Sequence, residues 1–595
     1  MPNPLIDDRT LDFVLHDVVG LDSLLALPRF ADHDRVSCDA YVYSVRRFSR
    51  EVLFPAYRLL DAEPPVLRDG QALVHARLHE IWPGLRDLGL ISAGRSTDIG
   101  GQQLPFPVTL AALLHVQAAN CPLYSFLGLT TGAAHLIEAF GSDALKARYF
   151  APLLEGTWTG TMALTEPQAG SSLADIETRA APFGDHHLVT GSKIFISGGD
   201  HDLTENIVHM VLARIEGAPA GVKGISLFLV PKMRPEGDRL VPNDVRVAGL
   251  IHKIGWRGLP AAALNLGEEG DCHGWLVGAP HRGLAAMFQM MNEARIIIGA
   301  NGVATASVAY HESLAYARQR PQGRPLASRD ASVPQVPILE HADVRRMLLR
   351  QKAIVEGGLA LLFQCARLSD LADHAEGETK RRSQLLLDLL TPVAKTFPAE
   401  RGFESNVLAL QVHGGYGYSS EYMPEAWLRD QKLNSIHEGT TGIQGLDLLG
   451  RKVTMENGAA LRFLGDAVAA TCARAAKAGV DPAWIAAVGG TGKRIGALTA
   501  ELARRGREQG PEAMLLHSAD YLDLFAAWVV AWQWLAMAAV AKEAMAAGRG
   551  PAPFYEGKLA TARYWTRTEL PKAEALISIC GEGDASYLEI PDEGF

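Results

Sequence analysis

The sequence predicts an α+β protein, mainly α, built from about four packed units. Three observations lead there. Apolar residues recur at helical spacing over most of the 595 residues. One interval, residues 158–277, instead carries short β-branched and aromatic runs separated by Gly- and Asp-rich turns. Hydrophobic residues make up 48% of the chain, enough for several large cores.

In order, residues 1–157 read as an N-terminal helical unit, with helical spacing clearest over 73–90 and 110–119. Residues 158–282 read as a small antiparallel β domain whose strands fall near 187–190, 193–197, 207–212 and 225–230. Residues 283–452 return to the helical period at 287–318, 342–372 and 385–410, which predicts an antiparallel bundle with short connections. Residues 453–595 form a further helix-rich segment with Ala-rich stretches at 459–477 and 521–547, then 555–576.

The charge balance of 57 Lys+Arg against 67 Asp+Glu supplies no global attraction to nucleic acid or to an anionic membrane, so no nucleic-acid partner is expected. Cysteines 38, 121, 272, 365, 472 and 580 lack zinc or iron-sulfur spacing, and His186-His187, in a turn between candidate strands, lacks the carboxylate or Cys pattern of a metal site; no metal site is expected. The first residues lack a basic leader or a transit-peptide composition, which points to the cytoplasm. Residues 524–541, with Trp528, Trp532 and Trp534, are barely long enough for a bilayer and are interrupted by Gln533. They predict a buried helix, with membrane docking as the alternative. The run Val488-Gly489-Gly490-Thr491-Gly492-Lys493-Arg494 looks phosphate-binding but misses the Walker pattern at Ala487 and Arg494, and reads as a loop opening a helix.

Three stretches carry chemistry. In Asn434-Ser435-Ile436-His437-Glu438-Gly439-Thr440-Thr441-Gly442-Ile443-Gln444, one carboxylate precedes a Gly-Thr turn, where desolvation can raise its pKa toward that of a general base. Leu164-Thr165-Glu166-Pro167-Gln168-Ala169-Gly170-Ser171-Ser172 ends a candidate strand, and Gly170 lets the backbone pass close to a ligand; a plain Pro-Gly turn would read the same way. Gln411-Val412-His413-Gly414-Gly415-Tyr416-Gly417-Tyr418 places glycines where a backbone can approach phosphate, or simply where a helix ends.

In this order and at these distances the three stretches resemble the acyl-CoA dehydrogenase family, over residues from about 70 to 452. The resemblance implies that family's fold: a helical domain, a β-barrel-like middle domain and a helical bundle. The remainder, especially Phe554-Tyr555-Glu556-Gly557-Lys558-Leu559-Ala560-Thr561-Ala562-Arg563-Tyr564, is similar to the extension of the long bacterial branch, which includes broad-range and 3-methylmercaptopropionyl-CoA dehydrogenases.

The same resemblance implies FAD as cofactor and an acyl-CoA as substrate. Leu164 and Thr165 would face the flavin pyrimidine ring and Ser171 the acyl-CoA. Phe195-Ile196-Ser197 stands where the family has Trp-Ile-Thr, keeping a stacking face and a hydroxyl but losing an indole donor. Arg320 resembles the arginine that pairs with the flavin pyrophosphate, with Arg318 and Arg324 as alternatives in a loop where Pro321 intrudes. Gln411, Gly414 and Gly415 match a contact to a neighbouring subunit's adenosine diphosphate, which implies a homodimer or a tetramer. Thr440 and Gln444 complete the cofactor set, and Gly439 and Arg295 join Ser171 on the substrate side; for Arg295 a buried ion pair is the alternative.

Glu438 is implied as the base that takes the α-proton, with its own backbone N–H helping to hold the enolate oxygen. Hydride would pass to flavin N5, giving a trans-2-enoyl-CoA, and electrons would go on to an electron-transfer flavoprotein. Relatives that carry the base on the bundle helix place it where this chain has Ala294, and Glu293 would point about 100° away. An acyl-CoA oxidase or a flavin-dependent lyase is possible on the same fold, and a flavin-binding scaffold without turnover is a third class. The retained Glu438 favours dehydrogenation of a saturated acyl-CoA, straight-chain or 3-methylmercaptopropionyl.

Overall fold

Ile207–Ile215 and Ile225–Pro231 are rich in Val, Ile, Leu, Met and Phe without the alternation of a half-exposed strand, and both are buried along nearly all their length. They form the centre of an eight-stranded sheet in the computed structural model, which describes residues 3–289, 291–327, 330 and 332–595. The order is Val245–Leu250, Ala261–Leu266, His186–Ser197, His273–Val277, Ile225–Pro231, Ile207–Ile215, Thr159–Ala163, with Arg179–Phe183 pairing His186–Ser197 and Ile207–Ile215.

The sheet is mixed rather than antiparallel as expected. Thr159–Ala163 and Arg179–Phe183 both run parallel to Ile207–Ile215. The chain between Thr159–Ala163 and Ile207–Ile215 includes two further strands, long enough for a parallel return, whereas a hairpin reading assumes that neighbours in sequence pair directly. His186–Ser197 serves three neighbours: its first half pairs Arg179–Phe183 and, at His187 and Leu188, His273–Val277, and from Gly191 onward it pairs Ala261–Leu266. Gly191 passes so close to Thr178 that a Cβ there would lie 2.6 Å from the Thr178 Oγ1.

These strands belong to one compact unit, Val36–Leu104 with Ala111–Ala294. Its helical core comes from the long apolar helix Phe106–Phe140, kinked at Asn120, whose Ala133, Leu136 and Ile137 share a hydrophobic cluster with Val208, Met210 and Leu229.

The second unit is Met1–Arg35, Pro105–Leu110 and Arg295–Phe595. Its bundle contains Met291–Gln319, Ala342–His374 and Gly377–His413. Gly299 and Gly302 let the first lie against the third, since a Cβ would meet the Ala394 carbonyl oxygen at 2.0 Å and that of Pro398 at 2.7 Å. The extension adds Met455–Lys477, Pro482–Gln509, Ser518–Ala546, Ala552–Tyr564 and Ala573–Glu582.

Ser518–Ala546 is the predicted apolar helix, and 89% of its most apolar window is buried inside the chain. Each tryptophan on it keeps a partner for its indole N–H: Trp528 donates to the Val488 carbonyl (3.0 Å), Trp532 to Thr471 Oγ1 (2.8 Å) and Trp534 to the Ala353 carbonyl (3.1 Å). Trp534 fits because bundle residue 357 is glycine; a Cβ there would lie 2.8 Å from its Nε1. The Walker-like run does not open a helix but lies within Pro482–Gln509. Its Gly492 makes room for Trp528, whose ring would sit 2.6 Å from a Cβ.

Lys558, from the extension motif, is wholly buried. It pairs with Glu356 of Ala342–His374 at 3.0 Å, donates to Thr10 Oγ1 at 2.9 Å and lies 4.6 Å from the Phe554 ring centroid. One buried charge thus joins the first residues, the bundle and the extension.

Truncation after Lys452 would bare the face around Gly357 and leave Glu356 without Lys558. The expected product is insoluble or misassembled protein with poor cofactor retention, read from soluble yield and size-exclusion chromatography. A soluble, monodisperse product melting near the full chain would contradict this packing.

Candidate functional site

Glu438 and Gly439 adopt successive left-handed conformations, φ 52° and 85°. For glutamate this is an unfavourable backbone, which persists only where its surroundings determine it. Gln444 Nε2 donates to the carbonyls of Glu438 (3.1 Å) and Gly439 (3.4 Å), and Lys395 Nζ donates to that of Gly439 at 2.8 Å. Thr440 then caps Thr441–Gly450 by accepting the Ile443 N–H on its hydroxyl. The Thr441 hydroxyl donates to Glu400. Gly445 lets this helix rest on the start of Ser518–Ala546, where a Cβ would meet the Ser518 carbonyl oxygen at 2.6 Å. The extension therefore supports the helix that follows the turn.

Glu438 is open to solvent on one side, but the protein crowding it raises its carboxyl pKa, with Lys395 and Arg295 pulling the other way. Burial pushes Lys395 down to about 8, partly offset by Glu438 and Glu400. Burial likewise holds His437 near 3, leaving it neutral at physiological pH. Arg295 is buried, with Nη1 2.7 Å from an oxygen of Asp447, so the ion-pair arrangement is the one its side chain makes. Glu293 lies 3.9 Å from Arg95 and 3.8 Å from His135.

A second feature of the same unit is a cleft of about 530 Å³ lined by Tyr316, Arg320, His413, Gly414, Gly415 and Tyr416, among others. Arg320 and the Gly-rich stretch, some ninety residues apart in sequence, meet here. The Arg320 guanidinium lies 5.5 Å from the Tyr416 ring centroid. Gly414 has φ 61°, and nothing lies within 4 Å of where a Cβ would stand on Gly414 or Gly415, so both leave their backbone open to a ligand. Gln411, exposed on the last turn of Gly377–His413, accepts the Gly414 N–H on its carbonyl. Arg324 Nε instead donates to the Val333 carbonyl at 2.6 Å, and neither it nor Arg318 lines the cleft. A guanidinium beside two bare glycines suits a pyrophosphate. The buried Oε1 of Gln444 has no hydrogen-bond partner among the described residues, an acceptor that a bound group could satisfy.

In the sheet-containing unit, the two predicted cofactor stretches lie side by side: the Ile194 N–H donates to the Thr165 carbonyl at 2.9 Å. Two residues, Ile194 and Phe195, oppose the single Ala263, a bulge that gives Phe195 φ 61° and leaves its ring exposed, while Ile196 is buried and Ser197 half-buried. Leu164 and Thr165 are half-buried, and Ser171 is exposed in the loop after Gly170.

Beneath them is a pair whose role was not read from the sequence. Lys193, wholly buried, donates to Glu166 Oε1 (2.8 Å) and to the carbonyls of Leu164 (3.0 Å) and Leu212 (2.8 Å). Glu166 also accepts from the N–H groups of Glu177 and Thr178, the Thr178 hydroxyl and Gln168. Burial pushes the Glu166 carboxyl up, but Lys193 and the Glu177 and Thr178 donors outweigh it and bring it to about 2. Only the contrast of two charges on strand-like segments could have hinted at this pair.

The chain matches four family descriptions in succession: acyl-CoA dehydrogenase N-terminal domain (39–157), middle domain (161–268) and C-terminal domain (281–453), and acetyl-CoA dehydrogenase C-terminal like (464–591). It is 37% identical to 3-methylmercaptopropionyl-CoA dehydrogenase of Ruegeria pomeroyi, over 95% of this chain and 96% of that one. It is 31% identical to a broad-specificity linear acyl-CoA dehydrogenase of Mycobacterium tuberculosis, over 98% of both. Among solved structures, Caenorhabditis elegans ACDH-11 in complex with C11-CoA superposes with a TM-score of 0.75 at 20% identity, covering 99% of this chain and 94% of that one.

Replacing Glu166 with glutamine would leave Lys193 buried without its counter-charge, an expected loss of about 3–5 kcal/mol at neutral pH. Because the folded carboxyl is depressed from 4.5 to about 2, its contribution is complete above about pH 4.5 and lost as pH falls toward 2. Chemical denaturation of wild type and Glu166→Gln should therefore show a gap that narrows across that window. A gap absent at pH 7 would contradict the assignment.

Proposed function

The chain belongs to the acyl-CoA dehydrogenase family, and on that premise we propose that it is an FAD-dependent enzyme that removes one α- and one β-hydrogen from a saturated acyl-CoA to give the trans-2-enoyl-CoA. The observation that carries the reading is the Glu438 turn: one solvent-reaching carboxylate, its pKa raised by the protein crowded around it and drawn back by Lys395 and Arg295, is held in a left-handed turn by Lys395 and Gln444. A proton α to a thioester is only weakly acidic, so the base must be well placed and the developing oxyanion held. Glu438 takes that proton, and its backbone N–H is one donor to the thioester oxygen. Gly439 and Ser171 are proposed as substrate contacts on the resemblance alone, and Arg295 is paired to Asp447.

The residues present fit FAD. By the resemblance, Arg320 would pair with its pyrophosphate, Leu164, Thr165, Phe195, Ile196 and Ser197 would contact the ring, Thr440 and Gln444 would complete the cofactor set, and Gln411, Gly414 and Gly415, which share a cleft wall with Arg320, would reach the adenosine diphosphate of a neighbouring subunit's cofactor. When bound, FAD supplies the two-electron acceptor for the hydrogen leaving the β-carbon. Because the resemblance implies a contact from Gln411, Gly414 and Gly415 to a neighbouring subunit's cofactor, we propose a homodimer, with an electron-transfer flavoprotein as the electron acceptor and the cytoplasm as the location. The division into 1–157, 158–282, 283–452 and 453–595 is proposed as the domain plan.

A second reading narrows the substrate to 3-methylmercaptopropionyl-CoA, supported by the 37% identity over almost all of that relative. Anaerobic mixing with straight-chain acyl-CoAs and the thioether substrate separates the two, since the preferred substrate bleaches the bound flavin fastest. Rapid hydrogen peroxide release in air would instead indicate an oxidase.

Purified protein is expected to be yellow, with about one FAD per chain, and a colourless preparation that FAD does not reconstitute would contradict the cofactor assignment. Glu438→Gln should retain FAD and acyl-CoA binding while losing about a hundredfold to ten-thousandfold in turnover. A variant that bleaches at the wild-type rate places the base elsewhere, with Glu293 next to test.

A further inference from the structure

Among the described residues four lysines are buried, and they are not treated alike. Lys193 is paired with Glu166 at 2.8 Å, Lys558 with Glu356 at 3.0 Å and Lys452 with Asp388 at 2.7 Å. Lys395, wholly buried in Gly377–His413, has no direct ion pair among the described residues; its Nζ donates to the Gly439 carbonyl. Burying an ammonium costs several kcal/mol unless a counter-charge offsets it. Stability alone would favour an apolar residue or a locked ion pair at this position.

We propose that Lys395 is a positioning residue for proton abstraction: it grips the carbonyl following the base, fixing the left-handed turn, and sets a positive charge beside Glu438 that keeps the carboxylate ionised and ready. The proposal rests on the reading of Glu438 as the base.

Electrostatics around the turn agree with the geometry. The charged and titratable groups facing Lys395 are Glu438, Glu400, Arg295 and His437. Glu400 is engaged by the Thr441 hydroxyl, Arg295 is matched by Asp447, and burial keeps His437 neutral. Of the two cations acting on Glu438, Arg295 is paired with Asp447, whereas Lys395 has no ion pair among the described residues. Burial raises the Glu438 pKa and Lys395 is the larger of the two cationic influences lowering it. Removing Lys395 must therefore raise that pKa and move the acid limb of activity to higher pH.

The test compares the pH dependence of kcat/KM for wild type, Lys395→Met and Lys395→Arg, with Glu438→Gln alongside. A readout independent of turnover is the infrared titration of the carboxylate in 13C-glutamate-labelled protein, the Glu438→Gln spectrum subtracted. For Lys395→Met the acid limb and the infrared midpoint should both rise by about one pH unit, with kcat down on the order of tenfold and KM little changed. Lys395→Arg should keep both midpoints near wild type. If Lys395→Met is insoluble, Lys395→Gln, a neutral donor, replaces it in the same comparison. Midpoints unchanged in the neutral variant, with Glu438→Gln inactive, would overturn the role of Lys395 alone. Wild-type turnover by Glu438→Gln would instead remove the reading of Glu438 on which it rests.

Discussion

A glutamate held at φ 52° before a glycine at 85° is the constraint on which the candidate site depends. Such a conformer costs on the order of 1–3 kcal/mol and survives only when surrounding groups determine it. Three side chains do so from three directions. Lys395 reaches up from the bundle, Gln444 reaches back from the following helix, and Thr440 caps that helix at its start. The helix in turn lies against Ser518–Ala546 through Gly445, and Arg401 of the bundle forks onto Asp523 of the same extension helix at 2.7 and 2.6 Å. The extension is thus part of what keeps the proposed base in place, which explains why it is packed rather than tethered.

The sheet-containing unit uses a related device. Lys193 and Glu166 form a buried ion pair whose remaining valences go to the carbonyls of Leu164 and Leu212 and to the donors of Glu177 and Thr178. A buried pair is weak evidence of net stabilisation, but it is geometrically demanding, and here it fixes the strand end that carries Leu164 and Thr165. The bulge at Phe195 then turns an aromatic ring outward from the neighbouring strand. Both units spend a desolvated charge on orienting backbone at the residues singled out for chemistry.

The helical segments, the β interval and the buried tryptophan helix were legible because hydrophobic periodicity reports burial directly. Glu438, Arg320 and the Gly-rich stretch were legible as motifs, and the cleft brings Arg320, but neither Arg318 nor Arg324, together with Gly414 and Gly415. Lys193, Lys395 and Lys558 were not legible as functional or structural anchors, because a lysine destined for the interior looks like any surface lysine until its partners are known. The parallel pairings of Thr159–Ala163 and Arg179–Phe183 were hidden for a similar reason: strand composition does not state direction. The run at Val488 to Arg494 shows the converse error. Its glycines suggested a loop, yet Gly492 serves helix packing by admitting Trp528.

The central claim is that the carboxylate on this strained turn performs the proton abstraction. Deuterium wash-in from D2O at the α-carbon of a bound saturated acyl-CoA, followed by mass spectrometry under anaerobic conditions, observes that step without relying on the electron acceptor. Wild type should incorporate deuterium at the α-position, and Glu438→Gln should do so at least about a hundredfold more slowly. Equal wash-in by the two proteins would contradict the assignment of Glu438 as the base.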